Sequence, residues 1–152
     1  MGAEARLKEL GLELPPIPKP GGIYKPVVVT GKLVYVSGHG PLKSDGTMMT
    51  GRVGADVDLA GGQAAAKQTA LALLASVRHE IGDLDKIGRV IKTLGMVNCV
   101  PDFKDHPAVI NGYSQVLKDI YGEDGVGARS AVGMGSLPGN ITVEIEVIFE
   151  LK

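Results

Sequence analysis

From Ile141 to Glu150 the chain alternates without a break. Ile141, Val143, Ile145, Val147 and Phe149 fall on one side, and Thr142, Glu144, Glu146, Ile148 and Glu150 on the other. A period of two is that of a strand with one face turned to a core. Three further stretches have strand character: Val27 to Thr30 with Leu33 to Ser37, Val90 to Val100, and Arg129 to Met134. Gly31-Lys32, between the first two runs, suits a tight hairpin. A helical period runs from about Leu59 to Ile81, where Ala64, Ala65, Leu71, Leu74, Ala75 and Ile81 recur on one side. Asp58 is placed as its N-cap and Gly82 as the residue that ends it. A second helix is expected from Pro107 to Tyr121, with Ile110, Tyr113, Leu117 and Ile120 on one face and Gly122 as its stop. Glu4 to Leu12 has room for one or two helical turns. The prolines at 15, 16, 18 and 20 then force an extended segment.

The order β-β-α-β-α-β-β predicts an α+β domain, a small mixed sheet with two helices packed on one face. Its second face poses a problem. Val27 to Val29 and Leu33 to Val36 are apolar on both sides, and Ile148 interrupts the carboxylates of the last strand. Helices on one side only would leave that surface wet, so the pattern predicts association of subunits.

Composition narrows the function classes. At 152 residues the chain suits one domain, read as an N-terminal extension over 1–20 and a single domain over 21–152. The 16 basic and 17 acidic residues nearly balance, and the basic ones form no stripe, so no nucleic-acid partner is expected. Cys99 is the single cysteine, which excludes an intramolecular disulfide and fits a reducing compartment. The charged N-terminus lacks the pattern of a secretory signal and no apolar run is long enough to span a bilayer, so a cytoplasmic, membrane-free protein is expected.

Motifs for nucleotide binding, zinc proteases or dithiol chemistry are absent, and His39, His79 and His106 are widely separated; neither metal nor cofactor is expected. Arg129 stands out, at the mouth of a strand behind a glycine-rich loop, because a guanidinium fork grips a carboxylate through two parallel hydrogen bonds. If its strand paired antiparallel with the last one, Glu144 would share its region. On the residues alone, an ordinary cross-strand Arg–Glu ion pair accounts for both. His39 reads as a loop histidine and Cys99 as a small buried residue.

The ordered set Gly21-Gly22 with Tyr24, Tyr35-Val36-Ser37-Gly38, Val97-Asn98, Asp102-Phe103, Asn111-Gly112-Tyr113, Ala128-Arg129-Ser130, Leu137-Pro138 and Val143-Glu144-Ile145-Glu146 resembles the Rid family (YjgF type, also labelled L-PSP endoribonuclease). The likeness runs from Gly21 to the C-terminus. It implies a chorismate-mutase-like fold (bacillus type) and a homotrimeric barrel with three clefts between subunits. It also implies a RidA-like enamine/imine deaminase that hydrolyses 2-imino acids such as 2-iminobutanoate or 2-iminopropanoate to 2-keto acids and ammonia. Arg129 would hold the substrate carboxylate and Glu144 position or activate water, with Tyr24, Ser37 and Asn111 at other site positions. Glu146, two residues on, also qualifies as the water-side carboxylate. The alternatives are a non-catalytic trimer that binds a small carboxylate or keto acid, and the ribonuclease of the family label. Four features depart from the family pattern: His39 where glutamine is frequent, Ala131 where cysteine is frequent, the long proline segment, and the glycine-rich loop from Gly122 to Gly127.

Overall fold

A computed structural model describes all residues from Met1 to Lys152. Its elements are α1 (Ala3–Glu9), β1 (Val27–Thr30), β2 (Leu33–His39), α2 (Leu59–Ile81), β3 (Ile87–Asn98), α3 (His106–Tyr121), β4 (Ala128–Met134) and β5 (Val143–Leu151). The α+β class stands: one five-stranded mixed sheet carries the helices on a single face. Local signals did as expected. Asp58 accepts a hydrogen bond from the Gly61 amide at 2.7 Å, Gly82 ends α2 at φ +86°, and Gly31 turns the β1–β2 hairpin at φ +57°.

Strand order is β1-β2-β5-β3-β4. β5 lies between β2 and β3, antiparallel to both, and β4 runs parallel to β3 at the edge. The antiparallel pairing of Arg129 with the last strand therefore does not occur. β3, α3 and β4 form a crossover unit, and a helix that crosses over returns the chain parallel to the strand it left. β3 also starts at Ile87, earlier than its sequence pattern suggests, because Ile87 is buried and pairs with Leu151.

Val143, Ile145, Val147 and Phe149 of β5 are at most 2% exposed and form the centre of the core with α2 and α3. Tyr113 of α3 is buried there, its hydroxyl 3.2 Å from Thr93 Oγ1, and burial holds its phenol protonated far above the ordinary range. α2 and α3 approach so closely at Gly112 that a Cβ would overlap the Gln63 carbonyl oxygen. α1 docks on this layer: Ala3 and Leu7 are buried, the Glu4 amide donates to Asp85 Oδ1 at 3.0 Å, and Arg6 Nε donates to the Asp119 carbonyl at 2.8 Å.

The opposite sheet face carries no helix. Val28, Tyr35 and Val132 stand 47%, 44% and 39% exposed on it, with Leu94 and Ile148 half-buried beside them. No helix is long and apolar enough to cross a membrane.

The helix contact gives a stability test. Gly112→Ala must push backbone apart and should cost about 1–3 kcal/mol, read as a lower urea midpoint. Gly135→Ala, where a Cβ meets nothing within 4 Å, should leave the midpoint unchanged.

Candidate functional site

Arg129 is the second residue of β4, level with Thr93 on β3, and its side chain lies on the helix-bearing side. Nη1 donates to Asn111 Oδ1 at 2.8 Å and to Ser114 Oγ at 3.1 Å, and Nη2 approaches the Pro107 carbonyl at 3.4 Å. The arginine is thus fixed by α3, not by a carboxylate, and the cross-strand ion pair with Glu144 is absent. Nε and one Nη2 hydrogen remain free to donate to a ligand anion. Asn111, Ser114 and Lys118 share one face of α3 and, with Arg129 and Val126, line a cavity of about 350 Å³.

The glycine-rich loop before β4 shapes this cavity. At Gly125 a Cβ would overlap the Leu117 carbonyl oxygen, and at Gly127 it would lie 2.7 Å from that of Val90. The loop must press against α3 and β3 to deliver Arg129 onto the asparagine and serine. Ser114 was not identified from the sequence, although its position one turn after Asn111 was a usable signal.

The remaining expected residues gather elsewhere. Tyr24, Ser37, Glu144 and Glu146 line a second cavity of about 640 Å³. Ser37 Oγ donates to the Lys25 carbonyl at 2.6 Å, and its amide donates to the Pro26 carbonyl at 2.9 Å. Serine thereby clamps the segment that precedes β1. Tyr24 Oη accepts from the Gly21 amide at 3.1 Å. Glu144 pairs with Met96 on β3 and projects from the helix-free face. Its carboxylate lies against Gly38, where a Cβ would overlap Oε2, so glycine at that position is what admits it. Burial, then the charge of Glu146, holds the Glu144 carboxyl above the ordinary carboxylate value.

His39 is not a loop residue. It ends β2 beyond a register shift after Val36 and is 6% exposed. Nδ1 lies 2.6 Å from the Ser37 carbonyl and Nε2 2.8 Å from Ser76 Oγ on α2. A carbonyl only accepts, so Nδ1 carries the proton and Nε2 accepts from the serine hydroxyl. Burial lowers the His39 pKa, opposed by the Ser37 carbonyl, so the ring is a neutral tie from the Ser37-Gly38 bulge to α2. The glycines and proline around it suggested a turn and gave no hint that α2 would supply a partner. Cys99 is buried, with Sγ 3.5 Å from His106 Nε2. No three His, Cys, Asp or Glu side chains converge as a metal would require.

One chain therefore carries two half-sites. An anchored guanidinium sits at the β4 edge on one side of the sheet. A carboxylate of raised pKa, with a hydroxyl and a tyrosine, sits on the other side. Neither half alone combines an arginine with a carboxylate.

The chain matches the family described as "YjgF/chorismate_mutase-like, putative endoribonuclease" over residues 4–151. Protein TCP17 of Trypanosoma cruzi is 38% identical over 149 residues, 97% of this chain and 93% of the relative. The crystal structure of protein Atu1372 from Agrobacterium tumefaciens superposes with a TM-score of 0.89 at 48% identity, covering 98% of this chain and 91% of that one. RidA from an Antarctic Psychrobacter species superposes at 0.62 with 25% identity, over 88% of this chain and 93% of its own. With nearly its whole length matched, this chain belongs to the YjgF/chorismate mutase-like family.

Proposed function

We propose that the protein is a 2-imino acid deaminase that works as a homotrimer, with each cleft completed by two subunits. One observation carries the reading: Arg129 and Glu144 lie on opposite faces of one sheet, and the helix-free face of a lone chain is bare apolar surface. In the proposed trimer the β4 edge of one subunit lies against the helix-free face of the next, so that Arg129 would meet the Tyr24–Ser37–Glu144 cavity and the apolar face would be covered. The likeness to RidA supports the same reaction class.

The combined cleft suits a ligand that is an anion at one end and a cation at the other, as a protonated 2-imino acid is. Arg129 binds the carboxylate through its free Nε and Nη2 donors. The imine carbon is already electrophilic, so orientation of a water molecule supplies much of the rate. Glu144 takes a proton from that water as its oxygen bonds to C2, and the C=N π electrons pass to nitrogen. The carbinolamine then loses ammonia, with the proton held by Glu144 returned to the leaving nitrogen and the hydroxyl proton released to give the keto acid. Glu144 enters the cycle ionised. Because its pKa is raised, its ionised fraction is lost at a higher pH than for an ordinary carboxylate.

Arg129→Ala should lower imine hydrolysis at least about 100-fold while the subunit mass in light scattering stays trimeric. Wild-type protein that leaves imine decay unaccelerated would sink the enzyme reading, and calorimetry with a 2-keto acid would then separate a binding protein from an inert one. The acid limb of kcat/KM should lie above the ordinary 4.5 of glutamate, and Glu146→Gln, which removes the neighbouring negative charge, should move it to lower pH. A paired substitution on the bare face, Tyr35→Glu with Ile148→Glu, should yield monomers that retain their circular dichroism but have lost turnover.

A further inference from the structure

Resting on the deaminase reading, the cavity beside Glu144 identifies the substrate more closely. We infer that the protein acts on 2-imino acids with a large apolar or aromatic side chain, in preference to three- and four-carbon ones. The cavity holds about 640 Å³ in a single chain. That lies within the roughly 300–1,000 Å³ of pockets that enclose drug-sized ligands. In the proposed trimer a neighbour's Arg129 takes up part of that space, so the side chain is selected by the walls that remain rather than by the whole volume.

The walls indicate what fills the rest. Pro18, Pro20, Tyr24 and Pro26 line one side along the segment before β1, and Met48 and Ile141 line another. Tyr24 and Met48 leave 49% and 41% of their surface uncovered. The charged lining residues are Lys19 and the two glutamates, and the glutamates rise from the β5 floor where the reacting carbon would sit. Ring and thioether surfaces favour apolar and aromatic groups through burial and edge or face contacts.

The proline wall is also fixed in place before any ligand arrives. Proline limits φ along it. Ser37 holds its far end through both its hydroxyl, on the Lys25 carbonyl, and its amide, on that of Pro26. Gly21 and Tyr24 are tied to each other. A wall held this way costs little ordering on binding, so contact with a large side chain is retained as affinity. The same hydroxyl sits at the reacting end, which couples the position of the wall to that of the imine carbon.

The test uses the full chain with imines formed in situ by an L-amino-acid oxidase from alanine, phenylalanine and arginine. The phenylalanine-derived imine should show a kcat/KM at least about tenfold above the alanine-derived one, and Met48→Trp, which fills the cavity, should collapse that ratio toward one. Equal rates for the two, a ratio untouched by Met48→Trp, or fastest turnover of the arginine-derived imine overturns the inference while leaving the deaminase reading intact. If no imine is hydrolysed, the deaminase reading falls, and calorimetry decides the cavity separately. Phenylpyruvate at least about tenfold tighter than pyruvate upholds an apolar side-chain site, and equal or weaker binding refutes it.

Discussion

The alternation of β5 is the constraint on which the rest of the structure depends. Its even-spaced apolar residues, Val143 through Phe149, are among the driest side chains of the sheet, and they pin the strand to the middle of the core, between β2 and β3. A slip of one residue would put Glu144 and Glu146 under the helices, where an unpaired carboxylate costs several kcal/mol. Because the register cannot slip, Glu144 is obliged to face away from α2 and α3. The acid is thus delivered to the helix-free side by the same contacts that build the fold.

The helices and the hairpin were legible because their signals are local. A cap, a stop glycine and a face of period 3.6 sit within one stretch of chain, so α2 was read with its bounds and α3 within a residue. Sheet order was not local. That β5 leaves β4 and inserts between β2 and β3 depends on how buried surface is shared among all the strands, and nothing at Arg129 or Glu144 announces it. The same limit explains His39, whose neighbours in sequence suggested a turn. Its partner is Ser76, 37 residues away on another element.

The placement of the candidate residues was legible to a lesser depth. Each of Tyr24, Ser37, Asn111, Arg129 and Glu144 was singled out from the sequence, yet the expected grouping of Arg129 with Glu144 in one chain does not occur. The bland reading of that pair, a surface ion pair, is also gone, since Arg129 is held by neutral partners on α3. An arginine fixed by an asparagine and a serine keeps its full charge for a third party, whereas one paired with glutamate would be largely neutralised. The geometry therefore leaves Arg129 available to a carboxylate ligand even as it separates that arginine from Glu144.

Separation has an energetic corollary. If the two halves meet only between subunits, a ligand that spans them binds the assembly and not the free chain. Its binding energy then adds to subunit association by mass action, in proportion to the logarithm of its concentration over its dissociation constant. In the proposed trimer the apolar face would supply association that is indifferent to ligand, and an Arg129–ligand–Glu144 bridge would supply a part that depends on it. Glu144 feels the same event. A neighbouring guanidinium would draw its pKa down, whereas drying of the cleft would push it up. In the single chain drying is the first cause of the raised pKa, ahead of the charge of Glu146, and an incoming guanidinium would carry the ligand carboxylate with it. Assembly with ligand should thus leave Glu144 a stronger base than an exposed glutamate, which is the state that proton abstraction from water requires.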